Sequence, residues 1–155
     1  MIDLESQLRL VEDAVDVAAY LAENAGVLAP GWTPGATDPA PEEEPGVYWL
    51  TMRPRSAPTE RYVARVGWTR YPAAPPSVKY ATGIRGQLDV TSAWPTVAGY
   101  RPGNGDICSE FTKEGYEAHP EWVAQRPWPS TGNPFLWIAQ ILQGHLDRAY
   151  GGRAA

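Results

Sequence analysis

Between residues 71 and 82 the chain reads Tyr71-Pro72-Ala73-Ala74-Pro75-Pro76-Ser77-Val78-Lys79-Tyr80-Ala81-Thr82. Pro72, Pro75 and Pro76 each hold φ at about −65° and lack a backbone N–H, so this stretch can neither run on as a helix nor pair inside a sheet. What it can do is turn the chain rigidly from one extended segment into the next. The flanks suit that use. Tyr62 to Trp68 before it and Ser77 to Thr82 at its end are rich in aromatic and β-branched residues, which favour a pleated, half-buried surface. Val47 to Met52 has the same character, and Pro54 to Pro58 supplies a turn between it and Tyr62. The reading is an antiparallel hairpin followed by a third strand.

Two helices flank this meander. Leu4, Leu8, Val11, Val15, Ala18 and Ala22 recur at spacings of three and four, with Glu5, Arg9, Glu12, Asp13 and Asp16 between them. That spacing predicts an amphipathic helix with one apolar stripe, ended by Asn24 to Gly26. From Pro30 to Pro45 proline, glycine and the run Glu42 to Glu44 predict a loop with one short strand near Trp32. At the other end Asn133 caps a helix and Pro134 takes a first-turn position where a missing N–H is harmless. Leu136, Ile138, Ile141, Leu142 and Leu146 then carry the pattern to Tyr150. Between Thr82 and Gly132 no periodicity stands out, and so long an irregular stretch in a compact domain marks either a functional region or an unrecognised element. The order is helix, antiparallel meander, irregular region, helix, an α+β arrangement with helices packed on a small sheet. At 155 residues the whole chain, 1–155, is expected to form a single domain.

Composition removes several classes of function. A net charge of −5 disfavours nucleic acid, whose phosphates call for clustered Lys and Arg. No apolar run approaches the roughly 20 residues that cross a bilayer, so no membrane partner is expected. Asp3 and Glu5 near the start do not fit a secretory leader, which leaves a cytoplasmic location as the expectation. One cysteine cannot make an internal disulfide, and with only His119 and His145 a metal site is not expected either. No cofactor is expected.

The string from Tyr71 to Thr82, following an aromatic-ended strand, resembles the Tyr-Pro-x-x-Pro-Pro-x-Val-x-aromatic-x-Thr string of the ubiquitin-conjugating enzymes. Every named position is filled, Tyr71, Pro72, Pro75 and Pro76 among them. Asn104-Gly105-Asp106-Ile107-Cys108 is similar to that family's Asn-Gly-x-Ile-Cys sequence, and Trp128-Pro129 ahead of the last helix is similar to its tryptophan and proline. The resemblance implies a ubiquitin-conjugating-enzyme-like fold in which Cys108 carries a ubiquitin-like modifier as a thioester. The modifier would come from an adenylating activating enzyme and pass to an amine, with a ligase or target protein as a further partner. A thioester carrier needs an accessible cysteine able to form a thiolate, and Gly105, Asp106, Ser109 and Glu110 leave Cys108 accessible.

The chain departs from the family in three respects. The family's His-Pro-Asn triplet, whose asparagine supports the oxyanion, is missing. Counted forward from Thr82 it should fall on Gly86-Gln87-Leu88, and counted back from Cys108 on Ala98-Gly99-Tyr100. Insertions from about Leu88 to Gly103 and from about Ser109 to Pro127 flank the cysteine and are expected to shape its groove. The first helix is acidic where the family's is commonly basic.

Other residues rank below Cys108. Asn104 either donates to an oxyanion or simply makes a turn beside Gly105, and His119 is a candidate general base if its loop folds back over Cys108. His145, between apolar neighbours, reads as structural, and Gly151-Gly152 reads as a helix stop. Lys113, five residues after Cys108, is the nearer in sequence of only two lysines, the other being Lys79, and is the expected internal acceptor. Two other readings stay open. One is a noncatalytic module of the same fold that binds a ubiquitin-like protein or a partner subunit, and the other is a cysteine hydrolase pairing Cys108 with His119.

Overall fold

The computed structural model describes residues 2–32 and 43–155. Helix α1 spans Leu4–Glu23, and the side chain of Asp3 caps it by accepting the Ser6 N–H at 2.8 Å. At its other end Ala25 takes a positive φ of 59°, and the N–H of Gly26 donates to Leu21 O at 2.7 Å. Gly26 is required by packing, because a Cβ there would stand 2.4 Å from Thr51 O. The chain then enters β1 (Val27–Pro30), β2 (Val47–Met52), β3 (Tyr62–Gly67) and β4 (Ser77–Ala81), a four-stranded antiparallel sheet in sequence order. The strand expected near Trp32 is β1, which ends two residues earlier because Val27 to Pro30 are the residues that pair with Thr51 to Tyr48. The rest of the expected loop, from 33 to 42, lies outside the described residues.

Alternation along the strands divides the sheet into two faces. Tyr48, Leu50, Met52, Tyr62, Ala64, Val66, Val78 and Tyr80 point to the main core, which they share with α1 and with α4 (Pro134–Arg148). Val47, Trp49, Val63 and Ala81 point the other way and pack with Ala29 and Leu88. The two long helices also pack against each other, on the same side of the sheet. Helix α4 begins as its sequence requires, with Asn133 Oδ1 accepting the Leu136 N–H at 2.9 Å and Pro134 at the first position. No helix among the described residues is long and apolar enough to cross a membrane.

The face that α1 buries is not the stripe its spacing suggested. The residues turned inward are Ser6, Leu10, Ala14, Val17 and Leu21, while Leu4, Leu8 and Val15 are 66%, 55% and 68% exposed. Both sets follow helical spacing. The buried one is disguised by a serine, whose hydroxyl is satisfied by the backbone of Tyr71: Ser6 Oγ accepts the Tyr71 N–H at 3.1 Å and lies 3.0 Å from Tyr71 O.

The stretch from Thr82 to Gly132 is more regular than its sequence suggested. It holds a 3₁₀ turn at Thr91–Ala93, a small hairpin of β5 (Tyr100–Arg101) and β6 (Asp106–Ile107), and two short helices, α2 (Lys113–Ala118) and α3 (Trp122–Gln125). Elements of two to six residues are too short to leave a periodic signal. Gly151-Gly152 is also not a helix stop. Helix α4 is already capped at Ala149, and the glycines run alongside Thr96, with Gly151 N to Thr96 O and Thr96 N to Gly152 O both at 2.8 Å. Ala154 N continues the pairing to Trp94 O at 2.9 Å.

The choice of face on α1 is checked by two truncations. Leu10→Ala removes a side chain with no exposed surface and should cost about 2–5 kcal/mol in urea unfolding. Leu8→Ala should stay within about 0.5 kcal/mol of the parent chain.

Candidate functional site

The proline corner is fastened from both helices. The Tyr71 hydroxyl donates to Asp13 of α1, lies 3.5 Å from Asn133 Oδ1 and accepts the Phe135 N–H of α4 at 3.4 Å. Burial first, and then the bond to Asp13, push the Tyr71 phenol well above its usual range, so it stays protonated and keeps donating. The bond between Tyr71 and Pro72 is cis. Trp68 packs edge-on against Tyr71 at 4.7 Å, and Trp128 Nε1 donates to Pro72 O at 2.8 Å. Pro76 then hands the chain to β4, and its carbonyl accepts the N–H of Lys113, the first residue of α2, at 2.8 Å.

Cys108 sits directly after β6, on the hairpin that packs beside β4. In the hairpin Tyr100 faces Ile107 and Arg101 faces Asp106. Tyr100 and Ile107 are buried in the main core, so alternation puts Arg101, Asp106 and Cys108 on the outer side. Cys108 is half-buried, and its N–H donates to Gly99 O at 3.0 Å. Opposite the cysteine, Gly99 has φ +88°, and a Cβ there would come no nearer than 3.5 Å to Cys108 O.

Four contacts hold this hairpin still. Across its arms Arg101 grips Asp106 in a two-point fork at 2.7 and 2.8 Å. That fork is the main reason the Arg101 guanidinium titrates above its usual value. At the tip, Lys79 of β4 donates to Gly105 O at 2.7 Å. At the base, the fully buried hydroxyl of Thr112 donates to Ile107 O at 2.6 Å and accepts the Gly115 N–H at 3.1 Å. From the core side the Tyr100 hydroxyl meets His145 Nδ1 of α4 at 2.9 Å, and burial followed by the nearby Arg148 lowers the His145 pKa, favouring the neutral ring.

Helix α2 closes on the cysteine's other flank. Gly115 rests directly on the backbone of Ser109, where any Cβ would overlap Ser109 O at 1.9 Å, and Ser77 Oγ donates to Glu114. Farther along, Arg126 reaches back to Glu110 at 3.0 Å. The insertion after Cys108 is thus tied to the two residues that follow the cysteine.

The remaining candidates occupy different surroundings. Asn104 is exposed in the turn from Pro102 to Gly105, and its N–H donates to Arg101 O at 3.0 Å. His119 stacks on Trp122 at 4.2 Å, and its Nδ1 lies 3.2 Å from Glu121 Oε1. No hydrogen bond joins His119 to Cys108 among the described residues. Of the two registers counted for the missing triplet, the later puts the asparagine position on Tyr100, which turns into the core against His145, and the earlier on Leu88, which packs with Val47, Trp49, Val63 and Ala81 on the other face of the sheet. The bracing roles of Arg101, Asp106, Lys79 and Thr112 are not evident from the sequence alone. The signal for the first two was present, since Pro102-Gly103-Asn104-Gly105 is a turn cluster with an opposite charge on either side. Among the described residues no group of three or more His, Cys, Asp or Glu is arranged to hold a metal ion. No family model, no curated protein and no solved structure matches the chain.

Thr112→Val tests the base of the hairpin. It leaves the Ile107 carbonyl and the Gly115 N–H without their buried partner, so stability should fall by about 1–3 kcal/mol. Amide exchange at Ile107 and Cys108 should accelerate by more than at β2.

Proposed function

We propose that the chain is a divergent relative of the ubiquitin-conjugating enzymes and carries a ubiquitin-like protein as a thioester on Cys108. The observation that carries this reading is the setting of the cysteine: half-buried, on the outer side of a braced hairpin beside β4, downstream of the Tyr71 to Pro76 corner. The order of helix, four-stranded antiparallel sheet, cysteine and helix supports it as well. In the first step the Cys108 thiolate attacks the modifier's C-terminal carbonyl, held as a thioester on the activating enzyme. A new C–S bond forms and the enzyme's own thiolate leaves. In the second step an amine attacks the Cys108 thioester, the amine proton passes to solvent, and Cys108 departs as thiolate while an amide remains. ATP is consumed by the activating enzyme.

A second reading has one observation of its own. Counted back from Cys108, the family's asparagine falls on Tyr100, whose hydroxyl is engaged with His145 Nδ1 on the core side, away from the outer face that carries Cys108. This suits a noncatalytic module that binds a ubiquitin-like protein or partner subunit. The hydrolase reading gains nothing, because His119 is engaged by Trp122 and Glu121.

With its activating enzyme, modifier and ATP, the chain should form an adduct that a reducing thiol cleaves, because thioesters exchange with thiolates and amides do not. Cys108→Ala should abolish that adduct, and Cys108→Ser should hold a longer-lived oxyester. Lys113, exposed at the start of α2, should be the main site of any self-modification, since Lys79 is committed to Gly105 O. Absence of a thiol-sensitive adduct alongside retained modifier binding would assign the noncatalytic role.

A further inference from the structure

At the end of the sheet where β2 finishes and β3 begins, a cleft of about 660 Å³ opens against the C-terminal segment. Three guanidinium groups line it from separate parts of the chain: Arg53 just after β2, Arg61 just before β3, and Arg153 in the tail that pairs with residues 94–96. Arg153 is fixed. It pairs with Glu60 at 2.6 Å, donates to Ser92 O at 2.7 Å and lies 4.4 Å over the Tyr62 ring. Arg53 donates only to a carbonyl, Pro58 O, at 3.1 Å. Among the described residues neither Arg53 nor Arg61 has a carboxylate partner, although the chain has 18 acidic residues to place. Cations on neighbouring strand ends repel one another, and a bound anion relieves that repulsion. Between them the lining is largely polar, with Thr59, Thr82 and Ser92 on it, and Val63 and Ala81 lie buried along its wall.

We propose that this cleft binds a small phosphorylated molecule, its phosphoryl group between Arg53 and Arg61. Guanidinium forks match phosphate oxygens two at a time. The charge count selects phosphate over carboxylate. Two unanswered cations are met by a dianion, whereas a monocarboxylate leaves one of them exposed to the other. The volume lies within the range of small-molecule sites. No residue of the Cys108 hairpin or of α2 lines the cleft, so the proposal does not depend on the thioester reading.

Phenyl phosphate and benzoate separate phosphate from carboxylate, since both carry a ring but only the first is a dianion at about pH 8. Calorimetric titration of the whole chain at low salt should show saturable one-to-one binding of phenyl phosphate, with benzoate weaker by about tenfold or more. Arg53→Ala and Arg61→Ala should each weaken phenyl phosphate by about tenfold, and Arg61→Lys, which keeps the charge but loses the fork, should fall between. Arg61 is exposed and its side chain holds nothing else, so its variants should fold as the parent does. Arg126→Ala, which breaks a pair with Glu110 near Cys108, should bind as the parent. The proposal is overturned if phenyl phosphate does not saturate, if benzoate binds equally well, or if the Arg53→Ala/Arg61→Ala double variant retains the parent affinity.

Discussion

The residue on which the arrangement turns is Tyr71. Its backbone is held by the Ser6 hydroxyl and its phenol by Asp13, both on α1, while Phe135 and Asn133 of α4 approach the same oxygen. One side chain therefore sets the distance between the two long helices and anchors the corner that aims β4. A buried phenol with no partner would be costly, and here every contact it makes is to an element that must be placed correctly for the next to follow. The orientation of β4 decides where Lys79 can reach, and Lys79 decides where the tip of the Cys108 hairpin rests.

Much of this could be read from the residues, and the reasons are local. β2, β3 and β4 declare themselves through aromatic and β-branched runs, and the start of α4 through Asn133 and Pro134, because in each case the chemistry that makes the element acts within a few residues. What could not be read depends on partners far along the chain. The inward face of α1 includes a serine, which makes sense only once Tyr71 is brought to it from 65 residues away. The short elements after Thr82 exist because Thr112, Gly115 and Arg101 find particular backbone groups and charges, and nothing in their spacing announces that.

The site divides in the same way. Cys108 stands out as the one cysteine in a recognisable setting, whereas the groups that hold it are ordinary residues given meaning by geometry. Arg101 and Asp106 are a pair only because the turn between them folds the chain back on itself, and His145 is a ligand to the hairpin only because α4 passes beneath Tyr100. The histidine that looked chemically more interesting, His119, spends its ring on Trp122. Stiffness around Cys108 thus comes from the hairpin's base, tip and underside together.

The pairing of Gly151, Gly152 and Ala154 with Trp94 and Thr96 bears on how such a chain can vary. It ties a neck beneath everything between those two segments, so that the hairpin, α2, α3 and α4 form one cassette closed at its base. The entropy of closing a loop grows only with the logarithm of its length, about 0.6 kcal/mol for each doubling. Once the neck is tied, residues added in the connections between Ser109 and Pro127 add little to that cost. The fold can therefore remodel the surroundings of its cysteine by insertion, at small thermodynamic expense, while the sheet and the Tyr71 corner stay as they are.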